Sequence, residues 1–90
     1  MSIKVHLHKT HRQYANGKDM IETTGNTVNE CLKNLIAQYP DMEKALFETK
    51  AKLKNTIEVY VNQESAYPDE LKKTTKDGDI IHLIVMIAGG

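Results

Sequence analysis

Residues 3–8 alternate, with Ile3, Val5 and Leu7 set against Lys4, His6 and His8. A period of two predicts a strand with its apolar set turned inward. Lys9 to Lys18 is polar and ends in Asn16-Gly17, a pair that takes positive φ readily and favours a hairpin turn. A second strand is predicted around Asp19 to Thr24, so the chain opens on a hairpin with a long tip. Gly25-Asn26 breaks it. Thr27-Val28-Asn29-Glu30 then fits a capping box, Thr27 as N-cap and Glu30 reaching back. Val28, Cys31, Leu32, Leu35, Ile36 and Tyr39 recur at helical spacing and form one apolar stripe, which Pro40 ends. Cys31 lies on that stripe and reads as a buried, inert thiol.

Residues 41–54 predict a short helix with Met42, Ala45 and Leu46 inward, Phe47 nearby and Leu53 closing the segment. Ile57, Val59 and Val61 alternate with Glu58, Tyr60 and Asn62, a third strand that Asn62-Gln63-Glu64 should turn. Residues 65–76 read as an irregular connection with a brief strand near Ala66-Tyr67 and an anchor at Leu71. Asp77-Gly78-Asp79 turns the chain into its last strand. There Ile81, Leu83 and Val85 alternate with Ile80, His82 and Ile84. The order of elements is that of an α+β fold, a sheet with one main helix packed on one face. The other face carries Ile80, Ile84 and Met86 with no segment left to cover them. An apolar patch with a polar rim fits a partner surface. Scattered exposed apolar residues are ordinary, but these share their strand with the closing Gly89-Gly90.

Composition narrows the classes. Ninety residues make one domain, spanning residues 1–90, with little room for a deep active site. Twelve basic residues balance twelve acidic ones, and no basic stripe stands out, which argues against nucleic acid. One cysteine excludes an internal disulfide and a Cys-rich metal motif. The N-terminal residues lack the apolar run of a signal peptide, and no segment approaches the length of a membrane span. The expected location is the cytoplasm, off the membrane. Two closing glycines arise by chance in about one chain in two hundred, and here they follow a core strand rather than a Gly/Ser-rich linker.

Thr27-Val28, the Leu32/Leu35 helix, Tyr39-Pro40, Val59-Tyr60-Val61-Asn62, Lys76-Asp77-Gly78-Asp79 and Ala88-Gly89-Gly90 occur in that order. Together they resemble the ubiquitin-like sulfur-carrier (MoaD/ThiS) family. Its members include the small subunit of molybdopterin synthase and the sulfur carriers of thiamine and cysteine biosynthesis. The likeness covers essentially the whole chain, and the Asp-Gly-Asp strand and terminal Gly-Gly are its specific parts. It implies a β-grasp fold. The length and the 41–56 segment look more like the molybdopterin and cysteine types than the thiamine type. Two positions depart from the family pattern. Gln63 stands where glycine is frequent, so the turn should take another form. Val85-Met86 stands where proline is frequent, so the tail should be less stiff as it leaves the sheet.

The resemblance also implies a use for Gly90. A partner adenylates its carboxylate with ATP, and a sulfur donor converts the acyl-adenylate to a thiocarboxylate. The residues suit this. An α-carboxyl is ionised at pH 7 and can attack a phosphate. A carboxylate is a poor acyl donor until activated, and the chain has no Gly-rich phosphate loop with a following lysine, so ATP belongs to the partner. Gly89 and Gly90 lack a Cβ and let the tail enter a narrow cleft, with Ile87 and Ala88 seating it. The expected partners are an E1-like adenylating enzyme, a sulfur donor and a sulfur-accepting synthase subunit. No cofactor is expected to be bound permanently. The chain carries no Ser/His/Asp set and no paired carboxylates with a cleft, so it reads as a carrier, not an enzyme. Two other classes remain: a modifier joined through Gly90 to lysines of a target, and a non-catalytic binding module.

By strand parity His6, His8 and His82 point away from the core. In a β-grasp sheet the first and last strands lie side by side, so the three imidazoles would share one face. No acidic residue is placed to orient them, so no metal ligand set is assigned. With Ile80, Ile84 and Met86, His82 belongs to the expected partner surface, where protonation would weaken docking.

Overall fold

The computed structural model describes residues 2–86. Strand β1 (Ile3–His6) and strand β2 (Met20–Thr23) pair antiparallel, with Val5 opposite Ile21 and His6 opposite Met20. Helix α1 (Val28–Gln38) follows, then a short helix α2 (Met42–Leu46). Strands β3 (Phe47–Thr49) and β4 (Lys52–Leu53) form a small separate hairpin. Strand β5 (Ile57–Val61), the brief β6 (Glu64–Ser65) and β7 (Ile80–Val85) complete the main sheet. Its order is β2-β1-β7-β5-β6, so the last strand of the sequence lies at the centre. It runs parallel to β1 and antiparallel to β5.

Local sequence explains α1. The Thr27 hydroxyl accepts from the Glu30 amide at 3.2 Å, and the Glu30 carboxylate accepts from the Asn26 amide at 2.8 Å. The capping box therefore forms, with its return bond one residue earlier than expected. Val28, Cys31, Leu32 and Leu35 are buried, and Ile36 and Tyr39 pack at their margin. They meet Ile3, Val5, Ile21, Ile57, Val59, Val61, Ile81 and Leu83 from the sheet, which is the main core. Gly25 sits where β2 hands over to α1, and a Cβ there would come within 2.8 Å of the Cys31 backbone nitrogen. That close approach leaves room for glycine alone.

Three sequence expectations need correction. The segment read as a hairpin tip is a 3-10 helix over Lys9–Ala15 that buries His11 and Ala15 and packs by α2. Asn16 and Gly17 do take positive φ, 56° and 80°, but as the end of that helix rather than as a two-residue hairpin turn. The first strand stops at His6 rather than running to His8. The brief strand expected near Ala66-Tyr67 lies at Glu64–Ser65, with Ala66 buried just after it. The β3–β4 hairpin had no counterpart in the sequence reading.

The turn after β5 resolves the missing glycine. Asn62 takes the left-handed conformation at φ 59°, leaving Gln63 in ordinary geometry. Asparagine tolerates that region because its short amide bonds locally.

Candidate partner face and tail exit

The alternation of β7 divides its side chains between two faces. Ile81 and Leu83 are wholly buried against α1, whereas Ile84 is 38% and Met86 47% exposed on the far side. Ile80 and His82 lie on that outer face half-buried, so Ile80 is more covered than the sequence suggests. Register shows what flanks them. Ile80 lies beside Lys4, His82 between His6 and Tyr60, and Ile84 beside Glu58. Met20, 38% exposed, extends the apolar surface beyond His6. The result is a band of apolar side chains and imidazoles across four strands, rimmed by Lys4, Glu22 and Glu58.

The start of β7 is held by a polar knot. Asn62 donates from Nδ2 to the Asp79 carboxylate at 3.1 Å and accepts from the Ile80 amide at 3.0 Å. Its own amide donates to the Ile80 carbonyl at 2.7 Å. The second Asp79 oxygen accepts from the Lys76 amide at 3.0 Å. The Asn62 hydrogen bond, aided by the Lys76 amide and the charges of Lys76 and Lys73, holds the Asp79 carboxyl below its ordinary range against the opposing effect of burial. On the other flank, the Ser2 amide donates to Asp77 at 2.6 Å and the Lys4 amide donates to the Asp79 carbonyl at 3.1 Å. Both neighbours of β7 are thus tied to its first residues, which fixes its register. Sequence reading placed the Asp-Gly-Asp turn but missed Asn62 as its partner. The signal was an asparagine at a turn position.

At the far end of β7 the Met86 amide donates to the Thr56 carbonyl at 2.7 Å. The sheet therefore supports the chain through its last described residue. Ile87, Ala88, Gly89 and Gly90, the expected tail and thiocarboxylate residues, lie outside the described residues. Met86 also lines a groove of about 520 Å³ between β5 and the 65–72 connection, whose walls include Leu53, Ile57, Tyr67 and Leu71. No sequence period points to it, because one of its walls is the irregular 65–72 connection.

The histidines divide into two pairs. His6 and His82 are register partners, with ring centres 5.4 Å apart and planes at 73°. Burial, and then the His6 ring, hold the His82 pKa below its ordinary value of 6.5, so the acid range in which it charges moves down. His8 does not join them. Its Nδ1 meets the Thr10 hydroxyl at 2.8 Å and its ring lies 6.3 Å from His11. His11, overlooked in the polar stretch, is 6% exposed and its Nδ1 has no partner. Burial, His8 and Lys54 push its pKa down as well. Among the described residues no group of three or more His, Cys, Asp or Glu is gathered to hold a metal. No helix among them is long and apolar enough to cross a membrane.

Comparison with known proteins bears on the whole chain. The sulfur carrier protein CysO of Mycobacterium tuberculosis is 25% identical over 93 residues, with 100% of each chain covered. A chain in the crystal structure of the Amycolatopsis orientalis BexX/CysO complex has a TM-score of 0.88 and 28% identity, covering 98% of this chain and 99% of that one. SAMP1 from Haloferax volcanii has a TM-score of 0.85 and 26% identity, covering 100% of both chains. The mixed sheet with α1 on one face is the ubiquitin-like β-grasp of these neighbours. The ThiS family profile matches residues 5–90, and the chain belongs to the ThiS family.

Proposed function

We propose that this chain is a sulfur carrier that holds sulfur as a thiocarboxylate at Gly90. A carboxylate oxygen of Gly90 attacks the α-phosphorus of ATP on a partner enzyme, and pyrophosphate leaves. A sulfide-equivalent nucleophile then attacks the acyl carbon, and AMP leaves. The acyl sulfur passes on to an acceptor. The chain supplies the substrate carboxylate and a docking face, and the partner supplies the catalysis. One observation carries this reading: the ThiS family match runs through Gly89 and Gly90, and the central strand β7, which ends at Val85, leads to them. A short tail held by the middle of a sheet can be inserted into a cleft while the domain stays outside. The full-length likeness to CysO favours the cysteine-biosynthesis type over the thiamine type. The M. tuberculosis relative is itself called a sulfur carrier, and the A. orientalis relative occurs in a complex with BexX.

Ile80, His82, Ile84 and Met86 form the face offered to the adenylating partner in this reading. The likeness to SAMP1, a small archaeal modifier protein, supports a second use, an isopeptide bond from Gly90 to a target lysine. Intact mass measurement separates the two. The carrier gains the mass difference of one oxygen replaced by sulfur, and the modifier gives branched lysine peptides. Deleting Gly90, or adding one residue after it, should abolish thiocarboxylate formation and leave the thermal melt unchanged. An extended chain that acquires sulfur with its extra residue still in place would overturn the acyl mechanism.

A further inference from the structure

We propose that His6 and His82 form a two-histidine site for a late first-row divalent ion, such as zinc, nickel or copper, on the outer face of the sheet. The two residues are direct partners on adjacent parallel strands, with ring centres 5.4 Å apart. With zinc–nitrogen bonds of about 2.0–2.1 Å, two imidazoles on one tetrahedral ion hold their ring centres about 5 Å apart. The observed spacing matches that separation without any backbone movement. Rotation about χ2, a broad torsion for histidine, turns the nitrogens of each ring while leaving its centre nearly in place. Imidazole nitrogens suit these ions, with copper bound most strongly.

The electrical setting agrees. A ligating imidazole binds the ion in its neutral form. Neither ion pair among the described residues, Lys52–Glu48 or Lys73–Glu64, takes up either ring. Both rings are partly exposed, so an ion reaches them from solvent and keeps water in its remaining positions. His8, engaged with Thr10 beside His11, stands apart from the site. No carboxylate orients the rings, so the bound ion exchanges freely. The open positions face the same side as Ile84, where a docked protein could add a donor.

Titration of the intact chain with zinc chloride, followed by the imidazole C–H signals in NMR, tests this. The His6 and His82 signals should move together while those of His8 and His11 stay. The melting temperature should rise with zinc, since only the folded sheet brings the pair together. His6→Gln and His82→Gln should each weaken binding by about tenfold or more, because losing even an outer-shell partner of a metal site typically costs that much. His8→Gln should bind as the parent does. Zinc that moves the His8 and His11 signals instead, or none at all, would overturn the proposal. So would parent-like affinity in His6→Gln and His82→Gln. The unsubstituted chain decides the matter even if a variant fails to fold.

Discussion

The two faces of β7 are made from alternate residues of one strand, yet they are under different demands. Ile81 and Leu83 are wholly buried against α1. Ile84, one position on, is exposed although its side chain is as apolar as theirs. Hydrophobicity alone does not separate the faces. What separates them is that one has a helix over it and the other has none among the described residues. An apolar residue on the uncovered face contributes little to folding, and its chemistry is free to serve a second protein.

Leu83→Ala should have the largest effect, a loss of about 2–5 kcal/mol of stability, because it opens a cavity in a fully buried site. Urea denaturation measures it, and a loss well below that range would break the contrast between the faces. Asp79 tests the inner row where it turns polar. Asp79→Ala should cost about 1–3 kcal/mol by leaving the Asn62 and Lys76 donors without their acceptor. The carboxyl is held below its ordinary value of 3.8 in the folded chain. Its stabilisation is therefore complete above that value and is lost as the pH falls through the lower folded one. Asp79→Asn should lack this acid-side loss, so parent and variant melts should converge in acid; parallel melts at all pH values would remove Asp79 from the account. Ile84→Asp should change stability least, by about 1 kcal/mol, the cost of a carboxylate on a strand beside Glu58, while weakening capture by the proposed adenylating partner. Binding titration paired with a thermal melt reads both. A variant that unfolds before its binding can be measured would place Ile84 in the core.

Much of this was legible in the sequence for particular reasons. Thr27 and Glu30 announced α1 because a capping box is a local interaction, satisfied within four residues. β5 and β7 were legible because strict alternation survives wherever a strand has one covered face. The outer position of Ile84 and Met86 followed from parity alone. The 3-10 helix at Lys9–Ala15 was not legible, since only His11 and Ala15 of its residues are buried, and a histidine and an alanine are too few and too weakly apolar to mark a core-facing stripe. The β3–β4 hairpin escaped because strands of three and two residues carry no readable period. The shared face of three histidines failed at His8, where the chain leaves the sheet and parity no longer governs direction. Asn62 was visible as a turn residue, but its grip on Asp79 depends on a pairing across seventeen residues.

The central place of β7 has a kinetic consequence. The chain's first two strands can pair by themselves, and so can β5 with β6, but these two hairpins do not touch in the order β2-β1-β7-β5-β6. Only β7 joins them, and its partner β1 lies at the opposite end of the sequence. Closing that long loop carries the largest single loop-closure cost in the sheet and should come late in folding. A nascent chain therefore cannot complete its sheet until the strand bearing the tail has been made. Folding and presentation of the tail become one event, so an adenylating enzyme that reads the sheet face would meet only finished carriers.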